Sequence, residues 1–251
     1  MGRVSTTEVK EIVSVRDRTR ELIDAIDSQH ENLAKAAELV LDAVNGDGIV
    51  HAAGAGHSLA MVCETFYRAG GLAAVRPMWD PEVLPLTGAL RSSAAERVPG
   101  RGRALVEKSD IRQGDVVVVF STSGRNPYPV EIAQASLARD VPVIAVTSTA
   151  ASAAAADRSG GTRLADHATV VLDTHVPPGD VVYPASAPRT SAVSTVAAAY
   201  VWSALLAELA DLADERGVDL PLWTSANVPG GDERNVELVA RYGDRIPELS
   251  A

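Results

Sequence analysis

The sequence predicts an α/β domain whose parallel sheet is covered by helices on both faces. Three observations carry this expectation. Short Val- and Ala-rich runs alternate with helix-like segments along most of the chain. The clearest run, Asp115–Phe120, is nearly pure valine, with no apolar–polar alternation, as in a strand buried on both faces. Aromatic residues make up only 4% of the chain while Ala and Val abound, which suits close helix–sheet packing better than an aromatic-lined binding surface. With 251 residues, the chain is long enough to bury a substantial core as one domain with helical extensions.

Taken in order, Thr6 to Val44 reads as helix. Ile12, Leu22, Ile26, Leu33, Ala37, Val40 and Val44 form an apolar stripe at helical spacing. Ser28 and Glu31 have the form of a capping box, so a break is expected there. Asn45-Gly46-Asp47-Gly48 stops the helix. Gly48–Ala53 is a first strand ending at Gly54, Ser58–Ala69 a helix stopped by Gly70-Gly71, and Leu72–Val75 a second strand. Val83–Gly102 mixes Pro, Gly and charges, with helix around Ala94-Ala95-Glu96-Arg97. Asp115–Phe120 is the third strand, and Pro127–Arg139 a helix with proline in its first turn. Val141–Thr147 and Ala168–Leu172 are two more buried strands, separated by an Ala-rich segment. A long helix runs from about Thr190 to Glu215 and ends at Gly217. The tail from Leu220 reads as irregular, with a short helix from about Asn235 to Tyr242.

A formal net charge of -10 argues against nucleic-acid binding by a generic basic face, which needs clustered Lys and Arg. It does not argue against a small phosphate ester, whose binding is decided by local amides and helix ends. The single cysteine, Cys63, excludes an internal disulfide and a Cys-cluster zinc site and suits a reducing, cytoplasmic setting. No apolar run is expected to reach transmembrane length, and the N-terminus is polar and charged, so no membrane partner is expected.

In open α/β sheets, ligands bind outside the carboxyl ends of the strands. The first such turn is Gly54-Ala55-Gly56-His57-Ser58, where two glycines permit a tight turn and close approach. A dinucleotide fingerprint would need a third glycine where Leu59 stands and an acid where Arg76-Pro77 stands. After the third strand comes Ser121-Thr122-Ser123-Gly124-Arg125-Asn126-Pro127. Three hydroxyls and a glycine just before a helix supply what a phosphate cradle needs, and this is not a Walker loop because no Gly-Lys-Ser/Thr is present. Thr147-Ser148-Thr149 is a third hydroxyl-bearing turn at the same edge, and by itself it reads equally well as a cap.

The pair Gly54-x-Gly56-x-Ser58 and Ser121-x-Ser123-Gly124 resembles the sugar isomerase (SIS) family of phosphosugar isomerases and phosphosugar-binding domains, over about residues 30–210. Further segments resemble an SIS subfamily labelled phosphosugar or phosphoheptose isomerase. These are Phe66-Tyr67-Arg68-Ala69-Gly70-Gly71, Glu96-Arg97, Ser225-Ala226-Asn227 and Gly231-Asp232-Glu233-Arg234-Asn235. The resemblance implies a three-layer αβα fold with a five-stranded parallel sheet in flavodoxin-like order. It implies a single SIS domain with a core at about residues 30–215, an N-terminal helical extension over 5–45 and an irregular tail over 218–251. It further implies a sugar phosphate as ligand and a homodimer or homotetramer.

Carried onto this chain, the family pattern assigns phosphate binding to Ser121, Thr122 and Ser123 with the amides of Gly124 and Arg125. It places Gly56 and Ser58 near the sugar and Thr147 and Ser148 along the same edge. The Arg125 side chain either joins them or points to solvent. Aldose–ketose isomerisation needs a carboxylate base, an acid for ring opening and donors for the enediolate. The family commonly uses a glutamate and a histidine, which here leaves Glu64 or Glu96 as base and His57 for ring opening. Glu64 lies at i,i+4 from Arg68, so a solvent-facing ion pair is its competing reading. Phosphoheptose isomerase carries a Glu and a His one turn apart after the first serine. Here Glu64 and Arg68 stand in those places, and neither a metal nor another cofactor is expected. Asp232, Glu233 and Asn235 read as a helix cap in preference to a cation site. A phosphosugar sensor without turnover and a lyase for amino-sugar phosphate ethers are the competing functions.

Overall fold

The computed structural model describes residues 6–250, with side chains described from Val15 onward. Two helices open the chain, α1 (Thr6–Asp27) and α2 (His30–Asn45). The side chain of Ile12, expected on the apolar stripe, lies outside the described residues, whereas Leu22, Ile26, Leu33, Ala37, Val40 and Val44 are all buried. The helix breaks where expected, but not through the capping box. Ser28 Oγ donates backwards to Ala25 O at 2.7 Å. Gln29 takes the hinge position and clasps the backbone of Asp173, donating to its O at 2.7 Å and accepting from its N at 2.9 Å. A backbone clasp of this kind comes from the far end of the chain, which no local pattern displays.

Five parallel strands follow: β1 (Val50–Gly54), β2 (Val75–Met78), β3 (Val116–Phe120), β4 (Val143–Thr147) and β5 (Val170–Asp173). Their order across the sheet is β2-β1-β3-β4-β5, the flavodoxin-like order. Strand β3 shows why the helices occupy both faces. Val116, Val118 and Phe120 join the core shared with α1 and α2, while Val117 and Val119 join the core on the other face. The first core also receives α8 (Ser194–Arg216), and the second α6 (Pro127–Leu137).

The second strand begins where the sequence reading had it end, at Val75, and continues through Arg76-Pro77-Met78. Proline is tolerated because β2 is an edge strand and has no outer neighbour to receive its missing N–H. Leu72 instead bridges antiparallel to Leu222. Ala73 N donates to Pro221 O and Gly70 N to Trp223 O, both at 2.7 Å. The stretch expected to be irregular therefore starts as a strap across residues 70–73. The helix after the first turn is also shorter than expected: α3 spans Leu59–Thr65, and Phe66 is already extended.

The mixed stretch after β2 holds α4 (Ala89–Ala95) and α5 (Arg101–Lys108). After β4 come α7 (Thr149–Ala154) and, beyond β5, a small antiparallel hairpin of β6 (Val181–Tyr183) and β7 (Thr190–Ala192). Thr190 thus belongs to a strand, and the long helix begins four residues later than the pattern suggested. The last helix, α9 (Gly231–Tyr242), begins four residues earlier. Asp232 and Glu233 sit in its first turn, and Asn235 bonds to both Thr224 N and Thr224 O.

By length and composition α8 could cross a membrane, contrary to the expectation that no segment reaches that length. Ala197, Val201, Trp202, Leu205, Leu209 and Ala213 nevertheless bury a stripe at spacings of one, three and four against the sheet, the pattern of a core helix.

Candidate functional site

A cleft of about 610 Å³ opens at the carboxyl ends of β1 and β3, where the order of the strands reverses. Its volume lies in the range of small-molecule sites. His57 and Ser58 from the first turn, Ser121, Thr122, Ser123 and Arg125 from the second, and Glu96 and Arg97 after α4 all line it.

The second turn is built to keep donors open. Gly124 has φ +54°, and a Cβ there would lie 3.1 Å from both Thr147 Oγ1 and Leu164 Cβ, so glycine is required by backbone and space alike. The Gly124 N–H donates to Ser121 Oγ at 3.2 Å. Its amide is therefore occupied, unlike the expectation that it would meet a ligand. Among the described residues, the amides of Thr122, Ser123 and Arg125 and the hydroxyls of Thr122 and Ser123 have no hydrogen-bond partner in the protein. Helix α6 itself offers little, since Pro127 and Pro129 lack N–H groups and Tyr128 N donates to Glu96 O at 3.3 Å. The unpartnered donors of this rim lie in the loop, not in the first turn of the helix.

That same Tyr128–Glu96 bond explains how Glu96 reaches the cleft. The segment after α4 is docked on α6, where Glu131 accepts from Gly100 N at 2.6 Å and from Gly102 N at 3.0 Å. Glu96 then faces the first turn, and a Cβ on Gly56 (φ +58°) would sit 4.0 Å from its Oε2. Burial pushes the Glu96 carboxyl above the usual glutamate range, against the pull of Arg97, Arg158, Arg125 and the Asn126 amide.

The remaining expected residues are placed elsewhere. Glu64 pairs with Arg68 on the outside of α3 and is not among the cleft-lining residues. Thr147 and Ser148 are fully buried beneath the rim. Thr147 Oγ1 donates to Thr122 O at 3.2 Å, while Ser148 Oγ donates to Val176 O at 2.6 Å and caps Ala151 N. Their hydroxyls brace the neighbouring turns and do not reach the cleft. Gly56 and Gly124 shape the two turns without lining the cavity. His57 faces the cleft, is largely exposed, and its imidazole has no hydrogen-bond partner in the protein.

Sequence reasoning missed Arg158, Ser194 and Thr195, and placed Thr174 and Asp180 after the fifth strand without assigning them a role; all five line the same cleft. Asp180 caps α8, accepting from Val193 N, Ser194 N and Ser194 Oγ. Thr174 is 3% exposed and its hydroxyl has no partner. A polar residue directly after a strand was the available signal for Thr174. For Arg158 and Ser194 there was none, because Arg158 lies in the loop after α7 and Ser194 opens α8, neither directly after a strand of the parallel sheet. Among the described residues, no group of three His, Cys, Asp or Glu side chains could hold a metal ion.

The SIS domain family matches residues 16–148, and a domain of unknown function (DUF2529) matches residues 86–213. A UPF0309 protein of Geobacillus thermodenitrificans is 38% identical over 225 residues, covering 88% of this chain and 90% of that protein. One from Brucella anthropi is 42% identical over 221 residues, covering 87% and 90%. Among solved structures, phosphoheptose isomerase from Neisseria gonorrhoeae superposes with a TM-score of 0.55 at 22% identity, over 80% of this chain and 98% of that one. The Vibrio vulnificus NanR protein complexed with ManNAc-6P gives 0.50 at 17%, over 93% and 71%. An enzyme and a ligand-binding protein thus share the fold. The chain belongs to the SIS-domain family, with the UPF0309 proteins as its relatives.

Proposed function

We propose that this protein binds a sugar phosphate in the cleft between β1 and β3 and isomerises it between aldose and ketose. One observation carries the reading: donors left open on the Ser121–Arg125 turn share a cavity with the half-buried carboxylate of Glu96, while the other lining carboxylate, Asp180, is taken up in capping α8. The phosphate oxygens take the amides of Thr122, Ser123 and Arg125 and the hydroxyls of Thr122 and Ser123. Glu96 then takes the proton from the carbon beside the carbonyl and returns it to the adjacent carbon. A carboxyl held above its usual range by burial suits that exchange. His57, on the first turn, serves ring opening, and Ser58 contacts the sugar. The phosphosugar enzyme and the ManNAc-6P-bound protein of the same fold support the ligand class.

The competing reading is a binding module without turnover. It is favoured by the placement of Glu64 outside the cleft and by the use of Asp180 as a helix cap, which leave Glu96, flanked by arginines, as the candidate base. Incubation with a panel of aldose and ketose phosphates in deuterium oxide separates the two. Isomerisation predicts loss of the C2 proton signal in the NMR spectrum for at least one substrate, abolished in Glu96→Gln. Saturable binding with no exchange across the panel identifies a binding module.

A further inference from the structure

Three guanidinium groups, those of Arg97, Arg125 and Arg158, line the cleft around Glu96. Many arginines of this molecule have a carboxylate partner, such as Arg76 with Glu248, Arg101 with Asp80, Arg163 with Asp157 and Arg245 with Asp115. These three have none within 4.0 Å. Their polar contacts are neutral: Arg97 Nη2 donates to Ser93 Oγ at 3.0 Å and Arg158 Nη1 to Asn126 Oδ1 at 3.2 Å. In a chain with net charge -10, carboxylates are in excess, so a cluster of cations left without ion pairs is a specific arrangement. Burial and the neighbouring charges of Arg125 and Arg97 hold the Arg158 guanidinium below its usual range, against the pull of Glu96, as expected where three cations crowd around one carboxylate.

The loop amides and hydroxyls, together with Arg125, already supply the donors for one phosphate. Arg97 and Arg158 flank Glu96, at the end of the ligand where the proposed proton transfer occurs. Two unneutralised cations beside a carboxylate base weaken it, because they favour its ionised form. An anion carried by the ligand would neutralise them on binding and restore the base at that moment. We propose that the ligand of this cleft is a sugar phosphate bearing a second anionic group, a carboxylate or a further phosphate, held by Arg97 and Arg158. This rests on the phosphosugar reading above and narrows its substrate class.

Calorimetric titration of the full chain with three probes tests it: glucose 6-phosphate, 6-phosphogluconate and fructose 1,6-bisphosphate. At least one doubly anionic probe is expected to bind tenfold or more tightly than glucose 6-phosphate, and which one does so distinguishes carboxylate from phosphate. In Arg158→Gln, and separately in Arg97→Gln, that preference should shrink severalfold while glucose 6-phosphate affinity changes less than threefold. Ser123→Ala should weaken all three probes alike. Equal affinity for all three probes in the native protein overturns the second-anion inference while leaving the phosphate turn standing, as does equal weakening of all three by the arginine variants. Absence of binding by every probe, or binding indifferent to Ser123→Ala, overturns the parent reading and this inference with it. Melting curves of each variant confirm that the folded protein is being titrated.

Discussion

Strands β1 and β3 run side by side through the middle of the sheet, and the molecule treats polar groups differently at their two ends. At the entry end, Asp115 is 1% exposed and saturated with donors. It accepts from Ile49 N and Arg112 N at 2.8 Å, His51 Nε2 at 2.9 Å and Arg245 Nη2 at 2.7 Å. That network joins β1, the start of β3 and the C-terminal segment into one buried unit. At the exit end, hydroxyls and amides of the turn after β3, and the Thr174 hydroxyl after β5, are left without partners in the protein. Satisfied polar groups stabilise the fold, whereas unsatisfied ones cost stability unless a ligand completes them. The entry end keeps one unpartnered ring atom of its own, His51 Nδ1, but that atom is fully buried, whereas the open donors of the second turn line a cleft; the contrast marks the first end as scaffold and the second as candidate site.

Mutations at the two ends should therefore fail in different ways. The largest effect expected is on turnover. Glu96→Gln should lower kcat by about 10²–10⁴-fold, the usual contribution of a general base, with probe affinity in calorimetry nearly unchanged. Normal turnover in that variant would remove Glu96 from the chemistry and assign the proton transfer to another group. Next, Asp115→Ala strands a buried imidazole and guanidinium and should cost about 3–5 kcal/mol in urea unfolding. If it costs as little as a surface change, the entry end is not the scaffold described above. Ser123→Ala should weaken sugar-phosphate binding by about 10- to 100-fold, the worth of hydrogen bonds to a charged group, yet leave the unfolding midpoint in place. Destabilisation there would mean that the exit end, too, is saturated.

Smaller effects sharpen the contrast. Thr174→Val should cost roughly two- to tenfold in affinity, a single neutral hydrogen bond, and be neutral or stabilising in the free protein, since the hydroxyl it removes has no partner. The pH dependence of stability should carry opposite signs at the two ends. Burial alone would raise Asp115, but hydrogen bonds from His51, Arg112 N and Ile49 N outweigh it and hold the carboxyl below its usual range. Its contribution is present above the ordinary aspartate pKa and lost as pH falls through the depressed value. Glu96 is raised, chiefly by burial, so its protonated form is favoured in the folded state. Its contribution is present below the ordinary glutamate pKa and lost as pH rises through the raised value. Urea midpoints followed against pH should thus show a shallower acid limb in Asp115→Asn, and a smaller decline on the neutral side in Glu96→Gln.

The sheet was legible in the chain because buried parallel strands leave runs such as Val116–Phe120 that no other element tolerates so readily. The second turn was legible for a similar reason: Ser121, Ser123 and Gly124 stand together directly after a strand. Glu64 and Glu96 were not separable by pattern. Glu64 lies in a helix and Glu96 at the end of one, each with arginine nearby, and only the docking of residues 96–102 on α6 brings one of them to the cleft. Thr147 and Ser148 show the converse, since a hydroxyl after a strand can brace the next turn as readily as it can meet a ligand.

By itself, then, the chain determined most of the parallel strands, the long helices and the hydroxyl-rich loop after β3, because these depend on periodicity and on residues adjacent in sequence; the course of the second strand and the β6–β7 hairpin it did not. The tertiary structure decided which carboxylate shares the cavity, which hydroxyls stay open and where the unpaired arginines converge. Those properties are distances between residues tens of positions apart, and burial and charge at such a site are set by packing that no local pattern encodes.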